Sequence, residues 1–324
     1  MMTDITYSHR LSVAPMMDWT DRHCRMFHRI LAPSAVLYTE MVNANAITKG
    51  GADWLLRFDE AELPVVLQLG GSDPTMLAEA AKIVSSKGYS EINLNIGCPS
   101  DRVQSGKFGA ILMKHPQLVR DCLQTMQQQS DIPVTAKIRI GVDDLDSEQF
   151  LLDFVGMLEQ AGCKLVVIHA RKAWLKGLSP KQNREIPELN YDRVSMVKKH
   201  FPQLEIILNG GIAGFEQAMQ LDAEYDGIML GRSAYHTPWL LHELDAAMHS
   251  TNVASKRDKL EQYTSYVEEQ LNQGQRLHNM TRHILGLFHG EKGAKGWRRE
   301  LSTQAVNKSA GTKVIYDALQ YIEA

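Results

Sequence analysis

Short β-rich runs recur along the chain at Leu11–Ala14, Val36–Glu40, Val65–Leu69, Ile92–Asn95, Val134–Arg139, Leu165–His169, Ile206–Asn209 and Gly227–Leu230. Between most of them, apolar residues return at three-to-four spacing, which marks a helix with one buried face. Pro74–Lys87 carries Leu77, Ala80, Ala81 and Val84, and Pro116–Gln129 carries Leu118, Val119, Cys122, Leu123 and Met126. Ser147–Gln160, Tyr191–His200 and Gly214–Ala223 read the same way. Strands that alternate with helices are parallel and joined by right-handed crossovers. Eight such units place the chain in the α/β class and favour a closed (β/α)8 TIM barrel over an open doubly wound sheet, although strand number alone does not establish closure. Neither a GxGxxG fingerprint after the first strand nor a GxxxxGK[ST] loop occurs, which disfavours a dinucleotide-binding Rossmann sheet. Beyond Gly231-Arg232 the pattern changes. Pro238–His249 and Lys256–Leu271 are helical, Thr251–Ser255 is a loop, and no β-rich run follows. Residues 1–244 are therefore expected to form the barrel and 245–324 a small helical domain.

Composition narrows the class. A chain of 324 residues, 44% hydrophobic and 23% charged, has ample material for a large core. Its four cysteines, Cys24, Cys98, Cys122 and Cys163, stand far apart with no zinc-type Cys/His spacing. They suit free thiols in a reducing cytoplasm, and no metal site is expected. Met1 to Arg10 lacks an apolar leader, and no run is long and apolar enough to span a membrane. The net charge of −3 says nothing for nucleic acid, so local charge has to be examined.

In barrels of this kind the C-terminal strand ends carry the site. They read Ala14-Pro15-Met16-Met17, Glu40, Gln68, Asn95 with Cys98, Lys137 with Arg139, His169 with Arg171, Asn209-Gly210-Gly211 and Gly231-Arg232. Glu91 to Asn95 alternates polar and apolar residues, then turns at Gly97 into a lone thiol and Pro99. Cys98 reads equally as a small buried hydrophobe or as a reactive group. Lys137, on an otherwise apolar strand, either snorkels to the surface or needs an anionic or electron-rich partner. His169 taken alone is more often a hydrogen-bonded core histidine. The glycines after the last two strands, Gly210-Gly211 and Gly231, bare backbone N–H groups where such barrels often bind phosphate, and Arg232 adds a fixed charge. Together these positions describe a pocket for a phosphate-bearing planar cofactor with a cysteine at its edge.

Two basic stretches stand out against the acidic total. Arg171 to Arg184 holds Arg171, Lys172, Lys176, Lys181 and Arg184 with no acidic residue. Arg276 to Arg299 holds Arg276, Arg282, Lys292, Lys295, Arg298 and Arg299 against Glu291 alone. Trp174 and Trp297 lie among them, where they could stack on bases. Each stretch alone could be a solvated basic loop; the pair suggests a two-part phosphate clamp.

Ser12-Val13-Ala14-Pro15-Met16, Leu67-Gln68-Leu69-Gly70-Gly71, Asn93-Leu94-Asn95-Ile96-Gly97-Cys98-Pro99-Ser100, Lys137-Ile138-Arg139, Ile168-His169-Ala170-Arg171, Asn209-Gly210-Gly211 and Gly231-Arg232 resemble the tRNA-dihydrouridine synthases. Asp18-Trp19-Thr20-Asp21-Arg22, Tyr38-Thr39-Glu40-Met41, Arg171-Lys172-Ala173-Trp174-Leu175 and Asn183-Arg184-Glu185-Ile186-Pro187 look like the bacterial A-type subgroup, which modifies positions 20 and 20a of the tRNA D-loop. The resemblance implies FMN in the barrel, NADPH as reductant and tRNA as substrate, with no obligate protein partner. It implies that Pro15, Met16, Met17, Gln68, Lys137, His169, Asn209, Gly210, Gly211, Gly231 and Arg232 hold FMN. It further implies that Cys98 donates a proton to uracil C5 after hydride delivery to C6, and that Asn95 contacts the base. Lys181, Arg184, Lys295 and Arg298 look like positions that orient the tRNA, with Arg139, Arg171 and Arg299 beside them. Two rivals stand against this reading: a flavin reductase of free pyrimidines, and a barrel that binds tRNA without catalysis.

Overall fold

A computed structural model describes residues 6–50 and 53–323. Residues 1–5, part of the stretch read as lacking a leader, lie outside them. Eight parallel strands, β1 (Leu11–Val13), β2 (Val36–Asn43), β3 (Val65–Gly70), β4 (Glu91–Asn95), β5 (Val134–Arg139), β6 (Leu165–His169), β7 (Glu205–Asn209) and β8 (Gly227–Leu230), follow one another in order. β8 pairs back onto β1, with Leu11 opposite Ile228 and Val13 opposite Leu230, so the sheet is a closed barrel. The order is that of successive right-handed crossovers, as the alternating pattern implied.

The outer helices form where the sequence supplies a cap and an apolar stripe. Helix Pro74–Ser85 starts at Asp73, whose carboxylate accepts from the N–H groups of Thr75 and Met76, and it buries Leu77, Ala80, Ala81 and Val84. Ser147 caps helix Glu148–Gln160 by accepting from Phe150 N–H. Helix Arg22–Leu31, between β1 and β2, carries the stripe Cys24, Phe27 and Leu31 but is enclosed almost all round: His23, Arg25, Met26, His28 and Arg29 are buried as well. Its polar groups are paired instead. Arg25 donates to Glu62 at 2.7 Å, and Arg29 donates to the carbonyls of Glu62 and Pro64.

The lumen is divided lengthwise. Ala14, Val36, Tyr38, Val66, Leu165, Val167, Ile207 and Met229 form an apolar cluster separate from the core between sheet and helices. Apart from Val66, the inward positions along β3 to β5 are polar, with Glu91, Asn93, Asn95, Gln68 and Thr135 all buried. A register shift between β2 and β3 at Tyr38/Met41 marks a bulge below the rim at Glu40.

The rest of the chain is helical: Trp239–His249, Lys256–Asn272, Leu277–Thr281, Ala294–Gln304 and Lys313–Glu323. Trp239–His249 spans position 245 and buries Leu240, Leu241, Leu244 and Met248 in the barrel core. The later helices build a second core from Leu260, Tyr263, Val267, Trp297, Leu301 and Ile315, completed by Met26, Phe27 and Leu31 of helix Arg22–Leu31. Among the described residues no helix is long and apolar enough to cross a membrane. Trp297 is fully buried at the centre of the second core, so Trp297→Ala is expected to cost about 3–5 kcal/mol. Urea denaturation followed by far-ultraviolet circular dichroism would measure it.

Candidate active site

The rim of the barrel gathers most of the strand-end residues. Asn95 stands opposite Lys137, Arg139 opposite His169, and His169 opposite Asn209 in the strand register. Gln68 lies one layer deeper, opposite Asn93, with its carboxamide taken up by Asn93 and Asn95 at 2.9 and 2.8 Å. Pro15, Met16 and Met17 form the loop after β1. There Thr20 Oγ1 accepts from Met16 N–H, and Met17 is 52% exposed.

Cys98 is held at both ends of its residue. Its N–H donates to Asn95 Oδ1 at 3.0 Å, and its carbonyl accepts from Ala110 N–H at 2.8 Å. Gly97 turns tightly over β5, where an added Cβ would meet the Ile138 carbonyl carbon at 3.3 Å. Gly109, at φ +75°, would drive a Cβ to 2.5 Å from the Cys98 carbonyl oxygen. The thiol donates to Ser100 Oγ at 3.6 Å. Cys24, Cys122 and Cys163 are buried, so Cys98 is the cysteine that the mouth can reach.

Cations crowd the opposite side. Lys137 Nζ donates to Asn209 Oδ1 at 2.8 Å, and Asn209 Nδ2 donates to the Met229 carbonyl at 2.7 Å. Enclosure by protein, with Arg139 as a second cause, pushes the Lys137 ammonium down to about 7; Cys98 pulls weakly the other way. Burial holds the His169 imidazole well below its ordinary value, and Arg139, Lys137, Arg171 and Arg184 press it the same way. It is therefore neutral, and its buried Nδ1 has no hydrogen-bond partner. Gly210 (φ +116°) passes so close to His169 that a Cβ would lie 2.9 Å from the ring, while Gly231 faces open space. Arg232 Nη1 pairs with Glu185 at 2.6 Å, and Arg171 donates to the carbonyls of Glu185 and Pro187.

Other expected residues fall elsewhere. Arg139 is buried, its guanidinium donating to the carbonyls of Gly97 (2.8 Å), Lys172 (3.0 Å) and Asn183 (3.0 Å). It braces three loops of the mouth from below. Lys181 and Arg184 are exposed on the loop after β6, beside Trp174, which is half-buried with Lys172 Nζ 4.2 Å above its ring. Lys295, Arg298 and Arg299 are exposed on helix Ala294–Gln304. The expectation that Trp297 stacks on a base fails. Ala294, Trp297 and Leu301 share the inward stripe of that helix, and Trp297 Nε1 donates to the Ile284 carbonyl. Glu91, Asn93 and Thr135, not singled out as site residues, lie beneath Asn95; the signal for Glu91 and Asn93 was the polar period of β4, and that for Thr135 its alternation with Val134 and Ala136 on β5.

A (β/α)8 barrel with a neutral imidazole, a buried amine and glycine turns facing a single reachable thiol defines a cofactor-dependent barrel enzyme. The dihydrouridine synthase family profile matches residues 12–323. A tRNA-dihydrouridine(20/20a) synthase of Xanthomonas campestris pv. campestris is 54% identical, over 97% of this chain and 93% of that protein. The corresponding protein of Pasteurella multocida is 52% identical, over 98% and 97%. That of Vibrio cholerae serotype O1 is 50% identical, over 98% of each. Among solved structures, a 2-naphthoyl-CoA reductase complexed with 2-naphthoyl-CoA aligns with TM-score 0.57 at 11% identity, over 75% of this chain and 50% of that one. An old yellow enzyme homologue from Zymomonas mobilis gives 0.53 at 12%, over 76% and 90%. Both show the barrel fold. The chain belongs to the dihydrouridine synthase family and so to the flavin-dependent oxidoreductases.

The rim suits a flavin. The unpartnered His169 Nδ1 and the Lys137 amine can meet polar ring edges, and the space over Gly231 beside Arg232 can take a phosphate. Lys137 makes this state of the site pH-dependent. Between pH 7 and about 10 the unfolded chain keeps a proton that the folded chain has released, so stability rises with pH across that window. Lys137→Met removes the effect. In flavin-free protein, the melting temperature of the variant relative to wild type should fall from pH 6 to pH 9. Calorimetry at the two pH values checks it; an unchanged difference would contradict the depressed amine.

Proposed function

We propose that this protein reduces uridine to 5,6-dihydrouridine in the tRNA D-loop, at positions 20 and 20a, with FMN as flavin and NADPH as reductant. Residues 1–244 carry the chemistry and residues 245–324 grip the RNA. Near full-length similarity to 20/20a synthases supports the substrate. The observation that carries the chemistry is Cys98, the one cysteine not buried, held by backbone contacts on both sides at the rim.

Uracil C5=C6 is conjugated with the C4 carbonyl, so a hydride added at C6 leaves negative charge over C5 and O4. The bound flavin supplies that hydride. Cys98 then delivers its S–H proton to C5 as general acid, and the pair of additions completes the saturated ring. In that role the group acts as the thiol, whose Sγ donates to the Ser100 hydroxyl. Asn95, in the same turn, contacts the base. Lys137 would set its amine beside the flavin ring, and neutral His169 would meet the ring or its chain through Nδ1. Gln68 and Asn209 would complete the polar lining, Pro15, Met16 and Met17 would flank it, and Gly210, Gly211, Gly231 and Arg232 would hold the phosphate.

C5 and C6 are reachable only when the base leaves its stack, so the enzyme accepts a splayed loop nucleotide. Arg171, Lys181 and Arg184 lie on the loops that edge the mouth, and Lys295, Arg298 and Arg299 point outward from the helical part. These supply the phosphate contacts that hold the RNA while the nucleotide is out.

Cys98→Ala is expected to lower turnover on tRNA about 10²–10⁴-fold while flavin absorbance and tRNA affinity remain. Cys98→Ser should stay impaired, because a hydroxyl is the weaker acid. Wild-type turnover in Cys98→Ala would remove the cysteine from the mechanism, and equal turnover on free uracil would favour the pyrimidine-reductase alternative. Lys295→Ala or Arg298→Ala should each reduce the salt slope of tRNA binding by about 1. Binding titrations at several salt concentrations read it, and an unchanged slope would remove that side chain from the phosphate grip.

A further inference from the structure

A column of hydrogen bonds runs through the barrel from its closed end to the thiol loop. At its base Glu91 accepts from His9 Nε2 at 3.0 Å and from the Tyr7 hydroxyl at 3.2 Å. Thr135 Oγ1 donates to the other Glu91 oxygen at 2.5 Å. Asn93 Nδ2 donates to Thr135 Oγ1 at 2.9 Å, Gln68 Nε2 to Asn93 Oδ1 at 2.9 Å, and Asn95 Nδ2 to Gln68 Oε1 at 2.8 Å. At the top, Asn95 Oδ1 accepts from the N–H groups of Gly97 at 3.2 Å and Cys98 at 3.0 Å. Glu91, Asn93, Thr135, Gln68 and Asn95 are all buried.

The column has a direction, and one end sets it. A carboxylate only accepts, so the single hydroxyl proton of Thr135 is committed to Glu91. Thr135 can then offer Asn93 only a lone pair, and Asn93 must turn its NH₂ toward it. Asn93 Oδ1 therefore faces Gln68, Gln68 turns its NH₂ down and its Oε1 up, and Asn95 answers with Nδ2. What remains for the thiol loop is Asn95 Oδ1, the one atom of that side chain that two backbone N–H groups can use. An Asn95 turned the other way would set its NH₂ against those N–H groups and leave buried donors unpaired.

We propose that Glu91 and Thr135 are positioning residues of an active site they do not touch: the acceptor-only carboxylate, relayed through Thr135, Asn93 and Gln68, fixes the orientation of Asn95 and so the seat of the Cys98 loop. The proposal rests on the reading of Cys98 as proton donor in tRNA uridine reduction. Asn93 and Gln68 serve as links, and the strand register places them for it, since Asn93 stands between Gln68 on β3 and Thr135 on β5.

Thr135→Val keeps the shape of the side chain and removes both hydrogen bonds; Thr135→Ser keeps the hydroxyl. On flavin-loaded enzyme, Thr135→Val is expected to lower kcat on tRNA about tenfold, the scale of one buried hydrogen bond, with KM for tRNA unchanged. The rate of Cys98 alkylation by iodoacetamide, followed by mass spectrometry, should change in the same variant. Thr135→Ser should restore both. A residue that merely supported the fold would lower the melting temperature and leave the KM-to-kcat split and the alkylation rate alone. A Thr135→Val enzyme with wild-type kcat and alkylation, or a Thr135→Ser that restores neither, overturns the proposal. Should Thr135→Val fail to fold, neutron diffraction on wild-type crystals decides. Asn95 Oδ1 toward the Cys98 N–H supports the relay, and Nδ2 there overturns it. Absence of dihydrouridine synthesis by wild type would instead sink the functional reading, while the alkylation and neutron readouts would still judge the relay.

Discussion

Closure of the sheet is the constraint from which the site follows. A closed barrel has no edge, so an inward polar side chain must find its partner inside the lumen or bear the cost of burial. The chain meets that demand by segregation. The walls from β6 round to β2 pack Leu165, Val167, Ile207, Met229, Val36 and Tyr38. The wall from β3 to β5 carries side chains bonded in series, Gln68 to Asn93 and Asn95, and Asn93 to Thr135. Because that polar wall reaches from the closed end to the rim, the base of the barrel and the thiol loop share one hydrogen-bonded body. A carboxamide on an isolated rim loop would have two orientations to choose from; here the choice is made several residues away.

The rim itself is held off balance. Burial, with the neighbouring cations, draws Lys137 down toward neutrality and holds His169 well below its ordinary value. Electrostatic crowding of this kind is costly in a protein that has to stand by itself, and it is relieved by an anion. Glu185 offers a provisional one to Arg232, but both side chains are well exposed, and exposed ion pairs hold weakly. A phosphate at Gly231 could take the place of that carboxylate at little expense. The same cations would hold electron density on a reduced flavin ring, so the crowding at the rim is a property that suits a flavin.

The strand-and-helix alternation was legible because each barrel unit repeats the same demand for a buried strand and a one-sided helix. Strands Val134–Arg139, Leu165–His169 and Gly227–Leu230 and helices Pro116–Gln129 and Tyr191–His200 stand where the pattern put them. What was not legible in helix Arg22–Leu31 is the burial of its polar face: behind the stripe of Cys24, Phe27 and Leu31, Arg25 and Arg29 are enclosed too, paired with Glu62 and the Pro64 carbonyl far along the chain. The polar period of Glu91, Asn93 and Asn95 was visible, yet polar positions on a strand ordinarily face solvent. Only closure turns that face into the lumen and Glu91 into an interior acceptor. Arg139 read as a cation at the mouth, but the carbonyls that occupy it come from loops far apart in the chain. Trp297 was grouped with its basic neighbours by proximity in sequence, whereas the helical turn separates it from them.

That separation bears on how an acidic chain can grip RNA. On helix Ala294–Gln304 one period sends Ala294, Trp297 and Leu301 into the second core and Lys295, Arg298 and Arg299 outward, so local charge is displayed without disturbing the packing beneath. The second core in turn is built onto helix Arg22–Leu31, whose N-cap Asp21 closes the loop that begins at Pro15. His283 of the helical part donates to Asp21 at 3.0 Å, and Tyr235 stacks on Trp19 of the same loop with ring centroids 4.4 Å apart. In the proposed complex the base must arrive within bonding reach of a thiol whose own seat is fixed from inside the barrel. A small misplacement there is expensive. Tying the helices proposed to grip RNA to the loop proposed to flank the flavin, through a shared core and a buried histidine, would keep grip and chemistry in one frame.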